Sequence, residues 1–146
     1  MERAAAFVRA GAARYVIASD GRVLRTVTRA PVHLPRVVMP TGPAPVTGHA
    51  VDSTQMRAAL QVLAGVPVRF ERGIGGARLK GVVANTGGVV AVFGHGLQVR
   101  LGTTSGLALK LRVAAKVLSE MTAPIRRSVA YVNVSAPARP TVGYKK

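Results

Sequence analysis

Residues 77–84, 89–93 and 97–101 are three β-rich runs separated only by Asn85-Thr86-Gly87-Gly88 and Gly94-His95-Gly96. Connections this short join antiparallel neighbours, because a parallel pair needs a crossover of a dozen residues or more. The chain is therefore committed to a meander in its middle, and the remaining elements must pack around it. In the last run Leu97, Val99 and Leu101 alternate with Gln98 and Arg100, one face apolar and the other wet. Val89-Val90-Ala91-Val92 is apolar on both faces, which marks a central strand.

On the N-terminal side, residues 14–29 read as a hairpin. The runs 14–19 and 22–27 flank Asp20-Gly21, and Asp-Gly favours a two-residue type I′ turn. Between Pro31 and Gly48 stand five prolines, Pro31, Pro35, Pro40, Pro43 and Pro45. Proline lacks a backbone donor and fixes φ, so this stretch is expected to run extended over the surface, as neither helix nor central strand. Asp52-Ser53-Thr54-Gln55 can cap a helix, and Met56, Ala59, Leu60 and Leu63 form its stripe at i, i+3, i+4 and i+7. Gly65 and Pro67 end that helix at about residues 53–64. Residues 66–71 read as a short strand and Arg72-Gly73-Ile74-Gly75-Gly76 as a loop.

A second helix follows Gly102-Thr103-Thr104-Ser105, with Thr104 or Ser105 as cap, a stripe of Leu107, Leu111, Ala114, Val117, Leu118 and Met121, and its end at Pro124. Residues 130–135 form a last strong strand, and a Pro-interrupted tail closes the chain. Strands punctuated by two helices give an α+β class, an antiparallel sheet with two helices packed on one face.

The 146 residues carry 21 Lys plus Arg against 5 Asp plus Glu, a net charge of +16, with 49% hydrophobic residues. That apolar content excludes wholesale disorder. The absence of cysteine excludes disulfide scaffolds, Cys-based zinc modules and thiol catalysis. Such a charge selects an anionic partner: nucleic acid, lipid or wall polymer. Against nucleic acid, three Phe, three Tyr and no Trp leave little for base stacking, and no reading helix or RNP-type motif is present. Phosphate-only contact with nucleic acid stands as the alternative function.

Chemistry-bearing residues are few. Glu2, Asp20, Asp52, Glu71 and Glu120 occupy a terminus, a turn, a cap, a loop edge and a helix end, and each has a structural role at hand. His33, His49 and His95 lie beside Pro or Gly turns without metal-ligand spacing. Gly102-Thr103-Thr104-Ser105-Gly106 does not meet G-x-S-x-G, and Gly73-Ile74-Gly75-Gly76 lacks the strand-to-helix setting of a phosphate loop. No catalytic, cofactor-binding or metal residue is assigned, and neither a cofactor nor a small-molecule substrate is expected.

Several segments together resemble the extracytoplasmic part of the FtsQ/DivIB bacterial cell-division family. Glu2-Arg3 with Ala5-Ala6-Phe7-Val8-Arg9 is similar to its E-R-x-P-x-A-x-V-x segment, with alanine for proline. Residues 15–24 resemble its "y-l-v-d-x-x-G-x-v" hairpin, followed by Leu34-Pro35. Val99-Arg100-Leu101-Gly102 with Lys110-Leu111 resembles its "v-x-l-G … K-l" pair. Tyr131-Val132-Asn133-Val134-Ser135-Ala136-Pro137 with Pro140-Thr141-Val142 resembles its close, with Asn133 where Asp is usual.

The resemblance implies that residues 1–12 are the remnant of a final POTRA strand and its connection, and 13–146 the C-terminal β domain. It further implies an upstream membrane helix and POTRA domain, which makes Met1 an internal start or a boundary within a longer chain. The implied function is non-catalytic: a divisome scaffold on the extracytoplasmic side of the cell membrane at the septum. It binds FtsB/DivIC-like and FtsL-like proteins by strand addition at the C-terminal sheet edge, and so regulates septal wall synthesis. Gly143-Tyr144 aligns with a Gly-aromatic pair that contacts the partner in some members. Thr141, Val142, Gly143 and Tyr144 are therefore the expected partner-binding residues, unless Tyr144 merely covers the sheet end. The scattered arginines would face anionic lipid or wall polymer.

Overall fold

The structure, a computed structural model, describes residues 3–31, 33–42, 45–51, 53–66, 70–71, 78–85 and 87–146. Among the described residues nine strands form one sheet: β1 (Ala6–Ala10), β2 (Ala13–Ile17), β3 (Val23–Thr26), β4 (Arg36–Met39), β5 (Leu79–Asn85), β6 (Gly88–Phe93), β7 (Gln98–Gly102), β8 (Val129–Asn133) and β9 (Thr141–Tyr144). Their spatial order is β3-β2-β1-β4-β5-β6-β7-β8-β9. Helices α1 (Thr54–Gly65), α2 (Leu107–Ser119) and the short α3 (Ala123–Arg127) complete the α+β fold.

The meander forms as its short turns require, with β5, β6 and β7 successively antiparallel. The sheet as a whole is mixed. β1 pairs with β4, β4 with β5, and β7 with β8 in parallel. For the last two pairs the reason is the placement of the helices: α1 lies between β4 and β5 in the chain, and α2 with α3 between β7 and β8, whereas β1 and β4 are joined through the β2–β3 hairpin and the proline-rich stretch. Each crossover returns the chain to the same end of the sheet, and the right-handed connection sets both on one face. α1 rests against β5 and β6, and α2 against β7.

The proline-rich stretch departs from its expected surface course. Arg36–Met39 is an interior strand, parallel to β1 on one side and β5 on the other. Its four residues contain no proline, since Pro35 and Pro40 stand just outside. Pro35 uses only the group it has, its carbonyl, to accept from the Phe7 N–H at 3.0 Å. The prolines thus bound a central strand that can be no longer than four residues.

The β2–β3 hairpin also differs from its expected two-residue type I′ turn, which needs positive φ at both central residues. Only Gly21 has one, at 88°. The Ala18 N–H donates to the Arg22 carbonyl and the Gly21 N–H to the Ala18 carbonyl, both at 3.0 Å, closing a three-residue loop. The Asp20 carboxylate accepts from the Arg22 N–H at 3.0 Å, holding Asp20 out of the left-handed region. β1 and β2 are joined by residues 11–12 and pair along their whole length, so the sheet runs without a break across residues 12 and 13.

Ser53 caps α1 by accepting from the Met56 N–H at 3.1 Å, a contact whose removal costs roughly 1 kcal/mol. Asp52 lies outside the described residues. Met56, Ala59 and Val62 are fully buried, with Leu60 and Leu63 packed beside them. Phe70 and Glu71 are helical where a strand was expected; residues 67–69 and the loop 72–76 lie outside the described residues. Phe70 packs against Phe93 in a tilted pair, ring centroids 5.4 Å apart and planes 48° from parallel. α2 is capped by Gly106 at φ 64° instead of Thr104 or Ser105, and it ends at Ser119. Pro124 opens α3, where the missing N–H of a first-turn proline costs nothing.

Lys110 is 5% exposed on α2. Its ammonium donates to the Thr103 carbonyl at 2.8 Å and to Thr103 Oγ1 at 3.3 Å. The lysine ties the β7–α2 turn to the helix and keeps its buried charge hydrogen-bonded. Tyr15 is the opposite case: it is fully buried and its hydroxyl has no partner among the described residues. Desolvation raises its pKa above the ordinary 10.0, since burial disfavours the phenolate.

Tyr15→Phe removes that orphan donor and keeps the ring. The variant should match or exceed the parent in stability at pH 7, by up to about 1 kcal/mol in urea unfolding. Because the folded pKa is the higher one, the parent loses stability as pH rises from 10 through that value, and the variant should lack this loss. A variant less stable at pH 7 by more than about 1 kcal/mol would show that the hydroxyl is satisfied. Lys110→Met should destabilise by about 1–3 kcal/mol by orphaning the Thr103 carbonyl.

Candidate partner-binding edge

The expected binding residues form a strand. Thr141–Tyr144 is β9, the last strand of the sheet, antiparallel to β8 with Thr141 opposite Asn133, Val142 opposite Val132, Gly143 opposite Tyr131 and Tyr144 opposite Val129. All four residues therefore lie on one terminal edge. Alternation places Val142 and Tyr144 on the helix-bearing face with buried Val132 and Val129, and Thr141 and Gly143 on the other. Val142 packs against the core, whereas Tyr144 is 54% exposed.

Three local devices put β9 there. The Asn133 side-chain oxygen accepts from the Ser135 N–H at 3.0 Å and from Ser135 Oγ at 2.7 Å, turning the chain out of β8. The amide oxygen of Asn133 is an acceptor of the kind an Asp at this position would also offer. The Arg139 N–H donates to the Ala136 carbonyl at 2.9 Å within the following turn. At the far end, the Lys145 N–H donates to the Ser128 carbonyl at 2.7 Å, and its ammonium to the His95 carbonyl at 2.9 Å. His95, the one non-glycine at positive φ among the described residues, sits in the 3-10 turn Gly94–Gly96.

Gly143 is required by a close approach. A Cβ built on it would fall into the Tyr131 ring, 2.8 Å from Cδ1 and nearer still to Cε1 and Cζ. The same ring carries the Arg100 guanidinium, with Cζ 3.7 Å from its centroid. Arg100, Tyr131 and Gly143 thus link β7, β8 and β9 across the helix-free face, a cation–π contact worth about 0.5–1 kcal/mol in a half-exposed setting. Tyr131, Arg100 and Lys145 were not among the expected site residues. The cross-strand pairing of an aromatic with a glycine is the signal that could have found them, but it requires the register.

The two sheet edges are not equivalent. Beside β3, the Val23 N–H donates to the His49 carbonyl at 2.9 Å and the Gly48 N–H to the Val23 carbonyl at 2.8 Å. An isolated bridge joins Arg22 to Ala50. Residues 48–50 therefore block the start of that edge. Among the described residues no strand pairs with the outer side of β9. Of the acidic residues weighed for chemistry, Asp20 is in its turn, the Glu71 carboxylate accepts from the Leu79 N–H at 2.6 Å, and Glu120 ends α2, while Glu2 and Asp52 lie outside the described residues. No group of three His, Cys, Asp or Glu able to hold a metal occurs among the described residues.

The family described as "Cell division protein FtsQ/DivIB, C-terminal" matches residues 6–135. The chain belongs to the FtsQ/DivIB family, a non-enzymatic, membrane-anchored family of division proteins, and a division-scaffold role follows. The matched span includes β1 through β8 and stops short of β9. No curated protein matches the chain. No helix among the described residues is long and apolar enough to cross a membrane.

Gly143→Val should force the Tyr131 ring or β9 aside. Backbone amides of 141–145 are expected to exchange at least about tenfold faster while those of β5–β7 keep their protection, as for a locally opened edge. Unchanged exchange in β9 would show that the ring moves freely and does not hold the strand.

Proposed function

We propose that this domain is a non-catalytic divisome scaffold that takes up FtsB/DivIC-like and FtsL-like partners by strand addition along the outer side of β9. Its place is the extracytoplasmic side of the septal membrane, where the complex regulates wall synthesis. The observation that carries this reading is the asymmetry of the edges: residues 48–50 cover the start of β3, whereas among the described residues no strand pairs with the outer side of β9.

An edge strand presents a row of N–H and C=O groups that an extended segment can pair with, and side chains on alternate faces supply selectivity. On β9 these are Thr141 and Gly143 on one face, Val142 and Tyr144 on the other. Tyr144 offers a large, half-exposed ring at low entropic cost, the character of an interface anchor.

The test is calorimetric titration with the partner pair. Tyr144→Ala should weaken binding at least about 30-fold with little change in unfolding midpoint, as for an interface anchor worth about 2 kcal/mol. Removal of residues 138–146 should abolish binding while circular dichroism reports a folded domain. Full-strength binding by both variants would refute the edge as the docking site.

A further inference from the structure

The nine strands contain six basic residues, Arg9, Arg14, Arg25, Arg36, Lys80 and Arg100, and no acidic residue. The register puts all five arginines on the helix-free face. Arg9 is directly opposite Arg14, Phe7 pairs with both Val16 and Arg36, and Val16 with Arg25. Because side chains alternate, Arg9, Arg14, Arg25 and Arg36 share the face of Phe7 and Val16, away from core residues Val8 and Tyr15. Arg100 reaches the same face through Val90 and Val83 but is occupied with Tyr131.

The other four are exposed and form a zigzag across β3-β2-β1-β4. Directly opposed residues lie about 5 Å apart and diagonal ones about 7–8 Å, so the order Arg25, Arg14, Arg9, Arg36 spaces its charges closely. One guanidinium N–H of Arg14 is spent on the Thr28 carbonyl at 3.2 Å, leaving four donors. This patch occupies the half of the sheet away from β9.

We infer that this four-arginine patch seats the domain on an anionic phospholipid surface. Charge complementarity carries the choice of an anionic occupant, and the membrane anchoring of the family selects lipid, because a tethered domain meets its own bilayer at high effective concentration. The patch itself offers nothing for bases to stack on: Phe7 is buried, Tyr131 lies at the other end of this face with Arg100 over its ring, and the large exposed hydrophobic residues Val46, Leu109, Ile125 and Tyr144 lie elsewhere. Binding is therefore adsorption at the headgroups without insertion. Arginine suits it, since its planar fork holds a phosphate through two hydrogen bonds.

The experiment is flotation of the chain with vesicles of phosphatidylcholine containing 30% phosphatidylglycerol, in about 0.1 M salt where the Debye length is about 10 Å. The Arg9, Arg14, Arg25 and Arg36→Gln variant should bind at least about 30-fold more weakly; each basic residue near such a surface is worth roughly fivefold. Substituting lysine at the same four positions should restore most binding, which separates charge loss from misfolding. Removing the same number of charges from the helix side, as Arg112, Lys116, Arg126 and Arg127→Gln, should weaken binding only a few-fold. Equal weakening by the two glutamine variants would overturn the inference, as would tighter, equally arginine-dependent binding of soluble polyphosphate or single-stranded DNA. Partner titration of the sheet variant keeps this outcome apart from the edge proposal, since that titration depends on β9 alone.

Discussion

Four residues hold the two halves of this sheet together. Among the described residues Arg36–Met39 is the only strand between β1–β3 and β5–β9, and it pairs in parallel with both neighbours, β1 and β5. Were it absent, the N-terminal strands would present an open edge at β1 and the meander another at β5. The side chains that alternate inward from it, Val37 and Met39, are buried between those halves. A continuous core therefore depends on a strand bounded by two prolines, and its shortness is part of the architecture.

The elements governed by local chemistry were legible in the sequence. The meander followed from turns too short for any other pairing, the cap of α1 from Ser53 ahead of its first turn, and the apolar stripes of α1 and α2 from 3.6-residue spacing; the cap of α2 fell instead to Gly106. Missing from that reading was whatever depends on distant partners. Pro35 and Pro40 signal exclusion from a sheet at their own positions, but nothing local says that the four residues between them are claimed from both sides. Parallel pairing is likewise a property of where crossovers return, although the helices that cause it were already placed. The turn at Ser19-Asp20-Gly21 differed because the Asp20 carboxylate bonds forward to Arg22, which settles the loop at three residues.

At the candidate edge, the sequence located the four residues of β9 but saw them as a tail. The structure adds what fastens them: the Tyr131 ring on Gly143, the Arg100 guanidinium on that ring, and Lys145 reaching the His95 turn. These contacts join residues 12 to 50 positions apart, so no local pattern could reveal them. They also divide labour within β9, with Gly143 and Val142 holding the strand in place and Tyr144 facing outward.

The obstruction at β3 has a consequence for association. A sheet with two open ends can add copies of itself without limit, each end receiving the opposite end of the next molecule. Here residues 48–50 already occupy the start of one end, so a ladder running from β9 of one copy onto β3 of the next meets hydrogen-bonding groups that are taken. Pairing at β9, whether with a different chain or with a twin related by a two-fold axis, meets no such competition among the described residues. A domain concentrated by its family's membrane anchor thus carries an adhesive edge and, opposite it, one that disfavours growth into a fibre.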